Sequence, residues 1–298
     1  MPNLQRVSRL AFWSIVIAFL VMGIKFLAWW LSGSVALYSD ALESIVNVLA
    51  AMVAWFAIRL SHKPPDKNHQ FGHHKAEYLS AVIEGILIVV AALLIFQEAF
   101  AALVASRTLE EPGLGMAVNV VATIINAFWA WLLITTGKRE RSPALAADGR
   151  HILADVVTSV GVLFGLVIVM LTGWVVLDAI MAIIVGANVL REGWKLVYTS
   201  ANGLMDVSPD VDEFELIEKT ILENAGGAIE VHDIKTRVAG PALFVEFHLV
   251  VDGNMSVAAS HVICDRIEDQ LKKTIKGIVP TIHVEPDPKS KAGGLKVT

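Results

Sequence analysis

Long apolar runs separated by short polar breaks fill the chain up to about residue 200, and a shorter-period pattern follows. The runs cover residues 10–31, 35–60, 77–104, 116–136, 146–171 and 174–198. Each is close to or above the ~20 residues a helix needs to cross a bilayer, so the pattern predicts six spanning helices. The first run is longer than the ~7 to 15 residue apolar core of a signal peptide, and no small-residue cleavage site follows it before the second. From about residue 206 the period changes. Residues 209–224 and 256–275 repeat at helical spacing, whereas 229–238, 243–251 and 279–285 read as strands. Val245, Phe247 and Leu249 then share one face of a strand, and Glu246, His248 and Val250 the other. The order α-β-β-α-β predicts two helices on one face of a three-stranded sheet. The expected fold is an α-helical membrane protein: a six-helix transmembrane bundle at 1–205, a small α+β domain at 206–288, and a loose Lys- and Gly-rich tail at 289–298.

Composition agrees with that division. Of 298 residues 55% are hydrophobic and only 18% charged, against roughly 25% charged in soluble domains, and the mean hydropathy is +0.61. The net charge of -5 matters only by region, because acids gather after residue 205 and bases at loop ends. Arg6 and Arg9; Arg59, Lys63, Lys67 and Lys75; Lys138, Arg139, Arg141 and Arg150; and Arg191 and Lys195 fall in alternate loops, and the opposite loops hold Arg107. For a protein of the inner (plasma) membrane, that asymmetry predicts both termini, and hence the α+β domain, in the cytoplasm. The single cysteine, Cys264, excludes an intrachain disulfide and fits a reducing compartment.

Ionisable groups inside the runs are the informative exceptions, since at membrane depth they persist mainly where they face a bundle interior. His151 and Asp155 are four apart and stack on one helix face; Glu43 and Asn47 have the same spacing. Glu43 lies about nine residues from the outer end of its run and Asp155 about nine from the inner end of its own, each ~14 Å into a ~30 Å core. Two carboxylates, an imidazole and an amide oxygen can therefore meet around one divalent transition metal. Lys25 is read as snorkelling from a helix end, and Glu84 as lining a path or pairing with a neighbour. Between the second and third runs, Asp66, His69 and His73 combine a carboxylate with two histidines four apart, which suits a second divalent site.

The segments G-S-V-A-L-Y-S-D-A-L-E-S, D-K-N-H-Q-F-G-H-H-K-A-E, H-I-L-A-D-V-V-T-S-V-G, V-H-D-I-K-T-R and T-I-H-V-E-P occur in this order along nearly the whole chain. They resemble the cation diffusion facilitator family. The resemblance implies a homodimeric exporter of divalent metal, exchanging it for protons, with neither catalytic residues nor a resident cofactor. Its partners would be metal ions, protons, a second copy and the lipid bilayer. Glu43, Asn47, His151 and Asp155 would form the transport site. Here the chain departs from the family, which usually carries Asp or His and then Asp at the first two positions. Glu43 and Asp155 still balance one M2+, and Asp40 on the same stripe is either a compensating carboxylate or a helix-start or release-path residue. The family also places a metal at Asp66, His69 and His73, with His74 an extra neighbour. In the α+β domain, His232, His248, His261, His283 and Glu285 would build a binuclear sensing site bridged by Glu285, where the family often has Asp. Zn2+ is favoured as substrate and regulator; Fe2+, Mn2+, Co2+ and Cd2+ also fit imidazole and oxygen donors.

Other function classes fare worse. H-H-K-A-E is not the H-E-x-x-H of a zinc hydrolase, and no Ser or Cys nucleophile is placed. No P-loop, dinucleotide fingerprint or basic stripe for nucleic acid occurs. The alternative is a membrane metal receptor or scaffold that binds ions without moving them.

Overall fold

The computed structural model describes residues 4–32, 35–104, 114–172, 174, 176–291 and 293–297. The chain divides into two compact units between Ala201 and Asn202. The first is built from α1 (Leu4–Ser32), α2 (Val35–Ser61), α3 (Ala76–Val104), α4 (Leu114–Glu140), α5 (Pro143–Thr172) and α6 (Val176–Leu204). Among the described residues four segments are long and apolar enough to cross a membrane: Gln5–Leu31, Ser44–Ser61, Ala76–Ala101 and Ala117–Glu140. Large side chains such as Phe12, Phe56, Phe128 and Trp131 point outward from the bundle. A hydrocarbon surroundings makes that stable, because lipid is as apolar as the side chains it touches. Arg107 and the loop that carries it lie outside the described residues, as do Gly33, Ser34 and Gly173.

α1 packs on α2 and α4, while α5 packs on α2, α3 and α4 and so has neighbours on several sides. Glycine sets how closely α4 and α5 approach. A Cβ on Gly149 would lie 2.8 Å from the Ile134 side chain, and one on Gly137 2.6 Å from the Ala146 nitrogen. Between membrane helices, where no hydrophobic drive exists, such close backbone contact supplies much of the attraction.

The second unit contains α7 (Val211–Asn224), β1 (Glu230–Ala239), β2 (Ala242–Val251), α8 (Val257–Thr274) and β3 (Ile278–Pro286). Asp210 and Ser256 cap the two helices, accepting from the Glu213 and Ala259 N–H groups at 2.9 and 3.2 Å. β1 and β2 form an antiparallel hairpin; β3 returns through α8 to pair parallel with β2. Ile217 and Ile221 of α7 and Ile263, Ile267 and Leu271 of α8 bury against Val245, Phe247 and Leu249, leaving His248 on the other face as the alternation requires.

Two features differ from expectation. Residues 295–296 form a short strand, β4 (Leu295–Lys296), antiparallel to β1, so the sheet has four strands in the order β3-β2-β1-β4. The chain end expected to be loose is tied down by Glu230. This buried carboxylate accepts from the Lys291 N–H at 2.8 Å and from Ser290 Oγ and Lys296 Nζ, and a buried charge demands such partners. Second, β1 carries a bulge between His232 and Lys235, with Asp233 at φ 52°. The bulge turns Asp233 out of the strand alternation.

Candidate metal sites

Among the described residues two clusters of potential ligands lie outside the bundle, and a set of buried polar side chains lies within it. In the bundle, Asn47, His151 and Asp155 are all buried. The Glu43 side chain is outside the described residues, although its backbone continues α2. Both ring nitrogens of His151 are buried with no hydrogen-bond partner among the described residues, one helical turn from Asp155. Bare imidazole nitrogens in an apolar setting are costly unless a donor or a metal meets them. Asp155 itself is heavily engaged. Lys25 Nζ donates to both of its oxygens at 2.9 Å and to Asp40 Oδ1 at 2.8 Å, and Asn126 Nδ2 donates to Asp155 Oδ2 at 2.9 Å.

Lys25 therefore does not snorkel: it is 1% exposed and reaches inward to two carboxylates. Burial favours this, because an ammonium in the bundle interior needs opposite charge close by. Glu84 accepts from Ser80 Oγ at 2.9 Å, pairing locally. Lys25 and Asn126 are the participants the sequence reading missed. The available signal was the same one that found His151, a polar residue inside an apolar run.

The connector between α2 and α3 gathers Asp66, His69 and His73, whose donor atoms lie within 4.8 Å of one another. Asp66 Oδ1 accepts from the Asn68 and His69 N–H groups at 2.9 and 2.7 Å, an Asx-type turn that fixes the carboxylate. Its other oxygen lies 3.4 Å from His73 Nε2, and Oδ1 lies 3.3 Å from His69 Nδ1. Donors ~2.0–2.2 Å from a tetrahedral zinc sit ~3.3–3.6 Å from each other, a range that holds both carboxylate–imidazole distances. The His69 N–H, foremost, holds the Asp66 carboxyl below its ordinary range, which keeps it ionised as a ligand must be. His74 is pushed down by burial and then by neighbouring His73, toward the neutral form.

On the outer face of the second unit's sheet, strand register does the assembling. His232, His248 and His283 are direct partners on β1, β2 and β3, with ring centroids 5.1 and 4.9 Å apart along the row. Glu285, two residues beyond His283 and on its face, extends across all three. Its Oε2 is 3.3 Å from His232 Nε2, and its Oε1 is 3.4 Å from His248 Nδ1 and 3.6 Å from His283 Nε2. Among the described residues His232 Nε2 and His248 Nδ1 are buried without a hydrogen-bond partner, as expected of nitrogens shaped for an ion. Asp233, brought in by the bulge, joins His232 and His248 within 4.8 Å. Its carboxyl is held below its ordinary range chiefly by Lys291. Behind the row, Glu230 lies 3.1 Å from His232 Nδ1, and that outer partner turns Nε2 toward the cluster.

His261 does not join this row. It is 72% exposed on α8 and lies 3.6 Å from Asp265 on its own helix. The reason is layering: α8 covers the opposite face of the sheet through Ile263, Ile267 and Leu271.

Comparison with known proteins gives consistent matches. A family model described as the cation efflux transmembrane domain matches residues 11–205, and one described as the cation efflux protein cytoplasmic domain matches residues 209–287. The chain is 42% identical over 279 residues to the uncharacterized transporter sll1263 of Synechocystis, covering 93% of this chain and 90% of that one. It is 31% identical over 285 residues to the cation-efflux pump FieF of Escherichia coli O1:K1, covering 94% and 93%. A chain from a solved structure of CzrB in its zinc form is 45% identical, covers 29% of this chain and 98% of its own, and has a TM-score of 0.28.

Proposed function

Because the chain belongs to the cation efflux family, we propose that it exports divalent transition-metal ions, Zn2+ foremost, from the cytoplasm in exchange for protons, working as a homodimer with both termini cytoplasmic. The observation that carries this reading is His151: two buried ring nitrogens, unpartnered among the described residues, one turn from Asp155 on α5. Glu43 and Asn47 would complete the coordination from α2. Carboxylate and amide oxygens keep the ion exchangeable, where thiolates would hold it more firmly.

Protons enter through the imidazole. It binds metal only when deprotonated, so filling the site expels a proton and acidification on the release side expels the ion. Alternating access would come from helices rocking around the midplane site. In the C-terminal unit, His232, His248, His283, Glu285 and Asp233 would bind cytosolic metal, with Glu285 bridging two ions, and bias the transport unit through linkage. Asp66, His69 and His73 would hold a further ion in the connector.

The test is simultaneous metal and proton flux by purified protein in proteoliposomes, run across Zn2+, Cd2+, Fe2+, Co2+ and Mn2+. The expected result is saturable metal uptake accompanied by counter-movement of protons, fastest for Zn2+. Binding of Zn2+ with no flux of any ion would establish a receptor instead.

A further inference from the structure

Lys25 stands directly against Asp155, one of the expected transport ligands. Its ammonium touches both oxygens of Asp155 at 2.9 Å and Asp40 Oδ1 at 2.8 Å. With Asn126 also donating to Oδ2, protein donors take up both oxygens of Asp155. A divalent ion could ligate that carboxylate only after the ammonium withdraws, because two cations cannot occupy the same few ångströms.

The withdrawal has a destination. Asp40 already shares the ammonium and is the wetter of the two carboxylates, its side chain 17% exposed against 3% for Asp155. The lysine stem has four rotatable carbons, so its charge can shift from one carboxylate to the other without moving α1. Charge balance agrees: Lys25 cancels Asp40, which leaves Glu43 and Asp155 to neutralise one M2+. The otherwise surplus carboxylate, Asp40, thereby gains a role.

We propose that Lys25 is a tethered counter-cation of the transport site, resting on Asp155 when no ion is present and moving onto Asp40 when metal binds. It limits how tightly the empty site attracts metal and expels the ion on the return stroke. The proposal rests on the reading of His151 and Asp155 as transport ligands.

The experiment measures zinc flux in proteoliposomes for the full-length wild type, Lys25→Arg, Lys25→Met and Lys25→Met combined with Asp40→Asn. Lys25→Met removes the competitor and leaves Asp40 unbalanced. Apparent KM should fall at least about tenfold, equivalent to ~1.4 kcal/mol, and kcat should fall with it because release slows. Lys25→Arg keeps the charge and should stay within about threefold of wild type, a difference under ~1 kcal/mol. Adding Asp40→Asn to Lys25→Met should restore the part of kcat lost to the surplus Asp40 charge, while the part owed to the missing ammonium stays lost. This double variant removes the surplus Asp40 charge that Lys25→Met leaves behind, so it reports even if Lys25→Met alone fails to assemble. An unchanged or raised KM in Lys25→Met, or a double variant no more active than the single, would overturn the counter-cation role. Full flux in Asp155→Ala would instead remove the transport site on which the proposal stands, a separate outcome.

Discussion

At the scale of single residues, what surrounds a side chain decides its chemistry more than what it is. Glu230 and Glu285 are both carboxylates on the outer face of one sheet. Glu285 faces three imidazoles and no lysine in the described contacts, whereas Glu230 is enclosed by Lys296, Ser290 and the Lys291 N–H. Lys296, first among these, holds the Glu230 carboxyl down at about 2 from an ordinary 4.5. A carboxyl depressed in the folded state adds stability that is complete above its unfolded value and is lost as pH falls through the folded one. The link from β4 to β1 should therefore hold above pH 4.5 and release progressively toward pH 2. Hydrogen exchange at residues 293–297 in the full-length protein checks this: protection that is flat down to about 4.5 and declines below is expected, and flat protection to pH 2 contradicts it. His151 and Asp155 could be read from the sequence because a polar residue within an apolar run is conspicuous. The partnership of Lys25 with Asp155 could not, since sequence gives depth along one helix but not which way it faces a neighbour. Asp233 was hidden differently, by a bulge that breaks the period of two on which strand reading relies.

Secondary-structure elements were more legible than their contacts. All eight α-helices and the first three strands fall close to the segments that periodicity marks, because each is long enough to repeat its pattern several times. β4 has two residues and no pattern to repeat. Helix crossings were equally silent, since a glycine in an apolar run looks the same whether it faces lipid or a helix. Gly149 faces α4, where an added Cβ would sit 2.8 to 2.9 Å from Ile134 and Leu133. Gly149→Val should force α4 and α5 apart and cost ~1–3 kcal/mol, as overpacking does. The readout is a lower unfolding midpoint of the detergent-solubilised protein together with reduced flux, because His151 lies two residues further along the same helix. An unchanged midpoint would show that the crossing is looser than described.

The molecule as a whole joins two different solvents' chemistry in one chain. In the bundle, large apolar side chains face outward and Lys25, Glu84, Asp148 and Asp155 are buried inside; in the C-terminal unit the apolar core is inside and the imidazole row lies on an outer sheet face. Composition made that division readable, and the family matches follow the same two parts. The proposed function ties the parts into one account through metal, transported by the first and sensed by the second. That claim depends on His151 and Asp155 acting as ligands on the translocation path, and zinc flux through proteoliposomes containing His151→Ala or Asp155→Ala tests it most directly. Both variants should assemble and still bind zinc at the C-terminal cluster while proton-driven flux is abolished. Flux at the wild-type rate in both would contradict the account.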